Sequence, residues 1–245
     1  MSSFCLIYNP MEKKLQFEKI YSWFDHKWYG RRINEFIRWL LMSDFFCRKL
    51  KIEGNGSLWI KKRILGKNNI LQTSSGTCLD RVLIKIQGSN NKITIGKNTI
   101  IGKNCRILLF GNNLNLIIGD NCTFSHDDEI LVQENGAKVI IGNDCMVSHH
   151  VNIRTSDAHP IFDLHSDTRI NNAKDIILGN HVWIGANVVI QKGSIIGDGC
   201  VVGVCSVVTH NTGKLNDDRR NNIVWVGSPA KPVKYDIKWD HKLFY

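Results

Sequence analysis

The sequence predicts an all-β solenoid of short parallel strands, preceded by a helical segment. Three observations predict it. First, an aliphatic residue followed by glycine recurs at Ile95-Gly96, Ile101-Gly102, Ile118-Gly119, Ile141-Gly142, Leu178-Gly179, Ile184-Gly185, Ile196-Gly197 and Val202-Gly203. Within runs the spacing is six, and between 179 and 203 only Gln191 fills a missing glycine slot. Second, a small or β-branched residue stands three places after each glycine: Thr99, Cys105, Cys122, Cys145, Val182, Val188, Cys200 and Ser206. Third, the composition changes between an aromatic, basic beginning and a Gly-, Asn- and Ile-rich remainder. A period of six fits neither a helix nor a long two-beat strand. It fits a strand and a turn, three of which close a coil of about 18 residues.

Residues 1–52 form the first element. Residues 1–65 hold 13 Lys/Arg against 6 Asp/Glu, a net +7 within a total of +10, and 13 of the 22 aromatics lie at or before Trp59. Residues 11–50 read as one or two amphipathic helices, with Ile33, Phe36, Ile37, Leu40 and Leu41 at helical spacing. Such a helix would cover the solenoid's open end or a neighbouring subunit. The alternative is an interfacial membrane helix. No stretch of about 18 apolar residues occurs, and MSSFCLIYNP is a poor secretory signal. The expected location is therefore cytoplasmic, with peripheral contact at the inner face of the membrane through residues 11–50 as the variant of that expectation. The eight cysteines should then be reduced, and no CxxC pair suggests a metal ribbon. The positive charge favours a polyanion, an acidic glycan in particular; nucleic acid is not the expected partner.

Residues 53–235 form the solenoid. Aliphatic and small slots point inward, so Cys105, Cys122, Cys145 and Cys200 are read as buried small hydrophobes with no redox or metal role. Glycine and asparagine take the corners, where positive φ costs them little. Gly96 to Gly119 and Gly119 to Gly142 are each 23 residues, five more than one coil, which predicts corner bulges at FGNN (110–113) and QENG (133–136). Residues 156–174, SDAHPIFDLHSDTRINNAK, fit no hexad and read as a loop thrown out of the solenoid. Loops on rigid scaffolds carry function disproportionately. Residues 236–245 are a C-terminal tail.

HHVNIRTSDAHPI (149–161), GNHVWIGANVVIQKGSIIGDGCVVGVCSVVT (179–209) and VGSPAKPVK (226–234) resemble the C-terminal half of the bacterial hexapeptide-repeat acyltransferases. The resemblance spans roughly residues 140–235. It is strongest to O-acetyltransferases of capsular and lipopolysaccharide sugars, sialic acid O-acetyltransferases among them. It implies a left-handed parallel β-helix, although parallel crossovers are ordinarily right-handed. It also implies a homotrimer that moves an acetyl group from acetyl-CoA to a carbohydrate hydroxyl.

That chemistry needs a base for the hydroxyl proton, donors for the developing oxyanion, and two substrates held at attack distance. The resemblance gives the base role to His159, whose imidazole titrates near working pH. Asp157 is expected to fix the His159 tautomer or else to make a local turn. Trp183, one place before inward Ile184, should face outward and line the groove; plain surface cover is its bland alternative. Gly185, Ala186 and Val204 are expected along the pantetheine arm of coenzyme A, with Thr209 further on and Lys231 near a phosphate. His210 and the 211–222 insertion stand where relatives carry a basic residue; the insertion reads first as a solvated charged loop, with Lys214, Arg219 and Arg220 as substitute phosphate contacts in the alternative.

Adjacent His149 and His150 should point to opposite sides of a strand. His126 in SHDDE (125–129) reads as a polar corner, and His181 as an exposed turn residue. His26, His165 and His241 carry no signal. No metal ligand set is assigned: a zinc hydratase would need a histidine pair about five apart plus a third, which His149, His150 and His159 do not offer. The other competing readings are an acetyltransferase for a small molecule or nucleotide sugar, and a non-enzymatic β-helix scaffold.

Overall fold

The structure, a computed structural model, describes residues 50–209 and 221–242. The helices expected within residues 11–50 lie outside these residues except for Leu50, as do His26, His210, Lys214, Arg219 and Arg220.

The described chain is a parallel β-solenoid of about seven turns. Its strands are β1 (Lys51–Gly54), β2 (Ser57–Leu65), β3 (Ile70–Thr73), β4 (Cys78–Gln87), β5 (Lys92–Ile95), β6 (Ile100–Ile101), β7 (Arg106–Phe110), β8 (Asn115–Ile118), β9 (Thr123–Phe124), β10 (Glu129–Gln133), β11 (Lys138–Ile141), β12 (Met146–Val147), β13 (Asn152–Arg154), β14 (Ile176–Leu178), β15 (Trp183–Ile184), β16 (Val189–Ile190), β17 (Ile195–Ile196), β18 (Val201–Val202), β19 (Val207–Val208), β20 (Val224–Gly227) and β21 (Ala230–Lys234). They stack into three faces. Face A carries β1, β3, β5, β8, β11, β14 and β17. Face B carries β6, β9, β12, β15, β18 and β20, and face C carries β7, β10, β13, β16 and β19. The long β4 serves both B and C. Its Leu79 pairs with Ile101 and its Ile84 with Ile107, and Arg81 between them turns the corner at φ 55°.

Both interior slots behave as the repeat requires. All eight aliphatic residues of the beat and all eight small residues are at most 2% exposed. Each buried aliphatic side chain contributes on the order of 1.5–3 kcal/mol.

Three expectations change. The aliphatic-glycine beat does not mark every coil, because β1 to β4 pair in register without it. The longer upper coils are not simple corner bulges. There, face C is itself longer: β7 and β10 have five residues where β16 and β19 have two. Ile95 therefore lies opposite Ile118, 23 residues on, whereas Trp183 lies opposite Val201, 18 on. Third, the beat's glycines are not the residues with positive φ. That conformation falls two places later, at Asn98, Asn104, Asn121, Asp144, His181, Asn187 and Cys205. The glycines are needed for clearance instead. A Cβ on Gly102 would lie 1.6 Å from the Ser125 carbonyl oxygen of the next coil, and one on Gly142 2.5 Å from that of Gly179.

Candidate active site

The extruded segment leaves the prism at the corner between faces C and A, after β13 and before β14. Its neck is closed by Lys174 N–H donating to the Thr155 carbonyl, and its tip is a small hairpin with a bridge between Phe162 and Arg169. Two coils grip its base. From above, Glu134 takes a bidentate pair from Arg169 at 2.7 and 2.8 Å and a bond from the Ser156 hydroxyl at 2.5 Å. The Arg169 guanidinium, with Ser156 second, holds Glu134 below the usual carboxylate range. From below, Lys192 donates to Asp157 and to the Asn171 carbonyl.

Asn171, buried, ties the two arms together. Its amide donates to Asp157 Oδ2 and to the His159 carbonyl, both at 2.9 Å, and its oxygen accepts from Ile161 N–H at 2.7 Å. His159 itself is exposed at the end of a tight turn, its N–H bonded to the Asp157 carbonyl, with Ala158 between them at φ 69°. Of the two expectations for Asp157, the structure shows the local turn. Its Oδ2 receives Lys192 and Asn171, which keep the carboxylate ionised below its ordinary range. It thereby ties the loop to the coil below. Beside the loop an open cavity of 490 Å³ is lined by Phe110, Gly111, Gln133, Glu134, Asn135, Ser156 and Ala158. Gln133 Oε1 is buried there without a hydrogen-bond partner among the described residues.

Trp183 faces outward on face B, 38% exposed, as β-strand alternation requires with Ile184 inside. Its outward neighbours are Met146 above and Val201 below. Its ring lies 5.9 Å from that of Trp239. Trp239 was not legible as a site residue. The tail climbs the corner between A and B, with Ile237 N–H on the Asn222 carbonyl and Trp239 Nε1 on the His181 carbonyl at 3.0 Å. His181 is a turn residue at φ 52°, but the expectation that it stands free is corrected. Its ring stacks on Trp239 at 3.9 Å, and its nitrogens meet Asp144 Oδ2 at 2.6 Å and the Trp239 carbonyl at 3.2 Å.

Gly185, Ala186 and Val204 share the corner between B and C. Cys205 N–H donates to the Ala186 carbonyl, so residues 186 and 204 do stack one coil apart. Val204 is 64% exposed and gives the corner an apolar lip. Gly185 has a packing reason of its own, since a Cβ there would lie 2.8 Å from Val204 N. One coil up, Asn187 N–H bonds the His149 carbonyl; above that, His150 N–H bonds the His126 carbonyl, and Asp127 N–H that of Lys103. His149 and His150 therefore do not diverge. They sit on a corner, with His150 at φ 57°, and their rings meet at 5.2 Å. His126 stacks on His149 at 5.1 Å and pairs with Asp127 at 2.8 Å. The SHDDE stretch is a corner but not wholly an exposed one, because Asp128 is buried and accepts from Val151 N–H at 2.8 Å.

The structure thus gathers Gly185, Ala186 and Val204, and gathers Asp157 with His159. Thr209 follows β19 at the end of face C, and Lys231 lies exposed in the β20–β21 hairpin. His159, on the C/A corner, and Trp183, on the face that this corner does not touch, are not brought together within one chain. Asp144, His181 and His241 offer metal-ligating atoms within 4.8 Å of one another.

Residues 175–210 match the bacterial transferase hexapeptide (six repeats) family. A polysialic acid O-acetyltransferase of Escherichia coli O1:K1 / APEC is 40% identical over 89 residues, 36% of this chain and 27% of that protein. One of Neisseria meningitidis is 37% identical over 93 residues, 38% of this chain and 40% of that protein. The chain thus matches well under half the length of these curated relatives. The crystal structure of the polySia-specific acetyltransferase NeuO superposes with TM-score 0.67 at 33% identity, covering 79% of this chain and 89% of that one.

Proposed function

The chain belongs to the hexapeptide-repeat acyltransferase family, and from that premise we propose that it is an O-acetyltransferase acting on a hydroxyl of a surface-polysaccharide sugar, with acetyl-CoA as donor. The observation that carries the reading is the exposed His159, presented on a loop that two coils clamp through Glu134–Arg169 and Lys192–Asp157–Asn171. Such a loop holds a base still without burying it. Acetyl-CoA, when bound, supplies an activated thioester. Ala186 and the exposed Val204 would take its apolar arm along the B/C corner. Lys231 would take a phosphate. A ring nitrogen of His159 removes the acceptor hydroxyl proton. Trp183 offers its indole N–H and ring face to the acceptor or acyl oxygen.

The acceptor is an acidic glycan. Arg81, Lys103, His126 and the His149–His150 pair climb the same corner directly above Ala186, one coil per step. Donors and cations at roughly 4.8 Å intervals suit a repeating carboxylate polymer.

Because His159 and Trp183 lie on opposite parts of the prism, the working unit is a homotrimer in which one protomer's loop meets its neighbour's face B. Two surfaces support this. Ile117, Ile140, Ile177 and Ile195 form an outward aliphatic column on face A, and on face B Ile100, Thr123, Met146, Trp183 and Val201 form a mixed, mostly apolar one. The loop also exposes Ile161, Phe162, Leu164 and Ile170.

The test is thiol release from acetyl-CoA with polysialic acid or another acidic glycan as acceptor. His159→Ala should keep its circular dichroism spectrum and lose about 10²–10⁴-fold in turnover. Retained turnover would remove His159 as the base. Thiol release with a small sugar or nucleotide sugar but not with polymer would replace the acceptor assignment.

A further inference from the structure

The group of Asp144, His181 and His241 has no part in the acyl-transfer reading. The three residues come from separate places: the corner after β11, the corner after β14, and the tail beyond β21. Asp144 Oδ2 is 2.6 Å from His181 Nδ1, Asp144 Oδ1 is 3.2 Å from His241 Nε2, and all three ligand-type atoms lie within 4.8 Å. We propose that this group is a divalent-cation site of the zinc class that fastens the C-terminal tail to the A/B corner.

The donor set is two imidazoles and one carboxylate, which favours a borderline ion such as zinc over magnesium or calcium. Bonds of about 2.0–2.1 Å to a tetrahedral zinc ion set its ligands roughly 3.3 Å apart. The separation of Asp144 Oδ1 from His241 Nε2, 3.2 Å, meets this as it stands. Asp144 Oδ2 and His181 Nδ1, at 2.6 Å, are spaced for a shared proton. The ion takes that proton's place, this edge opens by about 0.7 Å, and the widest pair, within 4.8 Å, closes on the ion. His181 is already oriented as a ligand: Nε2 faces the Trp239 carbonyl, which leaves Nδ1 to point into the group. Metal-bound imidazoles usually carry such a partner on the second nitrogen. His241 is exposed and Asp144 half-buried, so an ion reaches the group from solvent and water completes its coordination. The ion then closes a strap over the solenoid. Trp239, stacked on His181 and touching Trp183, lies between its fastened end and face B.

The experiment uses the full chain, stripped with chelator and titrated with zinc sulfate by calorimetry, alongside thermal unfolding and hydrogen exchange. Wild type should bind one saturable equivalent per chain, melt at higher temperature with zinc, and exchange amides 236–242 more slowly. His241→Ala, on an exposed tail position, should fold normally by circular dichroism, bind at least tenfold more weakly, and lose both effects. His149→Ala, in the other histidine cluster, should titrate like wild type. The proposal is overturned if wild type shows no saturable zinc, if His241→Ala titrates unchanged, or if only His149→Ala loses the site.

Discussion

Asp128 is a carboxyl group placed where water does not reach. Burial pushes it up to about 7, against the Val151 amide and Cys105 thiol contacts that favour its charged form. Its folded value lies above its unfolded one, so its contribution to stability is fullest below about pH 4 and is lost as pH rises through 7. Asp128→Asn keeps an oxygen for Val151 and removes that titration. Thermal melts should place the variant close to wild type at pH 4.5 and several degrees above it at pH 8; parallel curves would remove Asp128 as the source. Cys105, beside it, is equally buried, its thiol pushed up to about 12, which fits the inert small residue its slot predicts. Site residues divide by range. His159 and Trp183 stand inside local motifs, so a short stretch of sequence is enough to nominate them. Asn171, Arg169, Lys192 and Trp239 were not legible, because their partners lie 14 to 58 residues away and meet only once coils stack. The Asp157 turn was legible in SDAH, but its ion pair was not, since nothing there reveals that Lys192 waits one coil below.

Each side of a coil is one strand and one corner, and the corner sets the tolerance to change. Gly102 lies against the next coil's carbonyl, with ordinary φ, while Gly136 has φ 81° and open space around it. Gly102→Ala must push two coils apart and should cost about 3 kcal/mol. Gly136→Ala meets only backbone strain, about 1–2 kcal/mol. Urea unfolding of both variants separates the two causes, and equal losses would return the glycines to a purely conformational role. The six-residue beat made these elements legible from residue 95 onward. Above that, β2 and β4 run straight through corners as strands of nine and ten residues. Their alternation has no glycine to mark the turn, so the beat does not reach those coils, although residues 53–94 were placed in the solenoid.

At the scale of the whole molecule, His159 and Trp183, the two halves of the proposed reaction centre, lie on different sides of one chain. Equal mixtures of His159→Ala and Trp183→Ala, refolded or co-expressed, should therefore recover activity that neither variant shows alone. Random trimers with sites shared between neighbours rebuild about a quarter of them. No recovery would place both residues in one protomer's site. The trimer itself came from resemblance; the aliphatic column on face A and the mostly apolar one on face B are the surfaces it would use.

The two coil widths have a last consequence. Residues 110–111 and 133–135, which line the cavity beside the histidine loop, belong to the wider turns. The broad storeys overhang the narrow ones there, and the hollow is the eave between them. A chain built of uniform 18-residue turns would have a flush wall at that corner, and shortening the two broad turns above the loop would erase the recess without touching any residue of the hairpin.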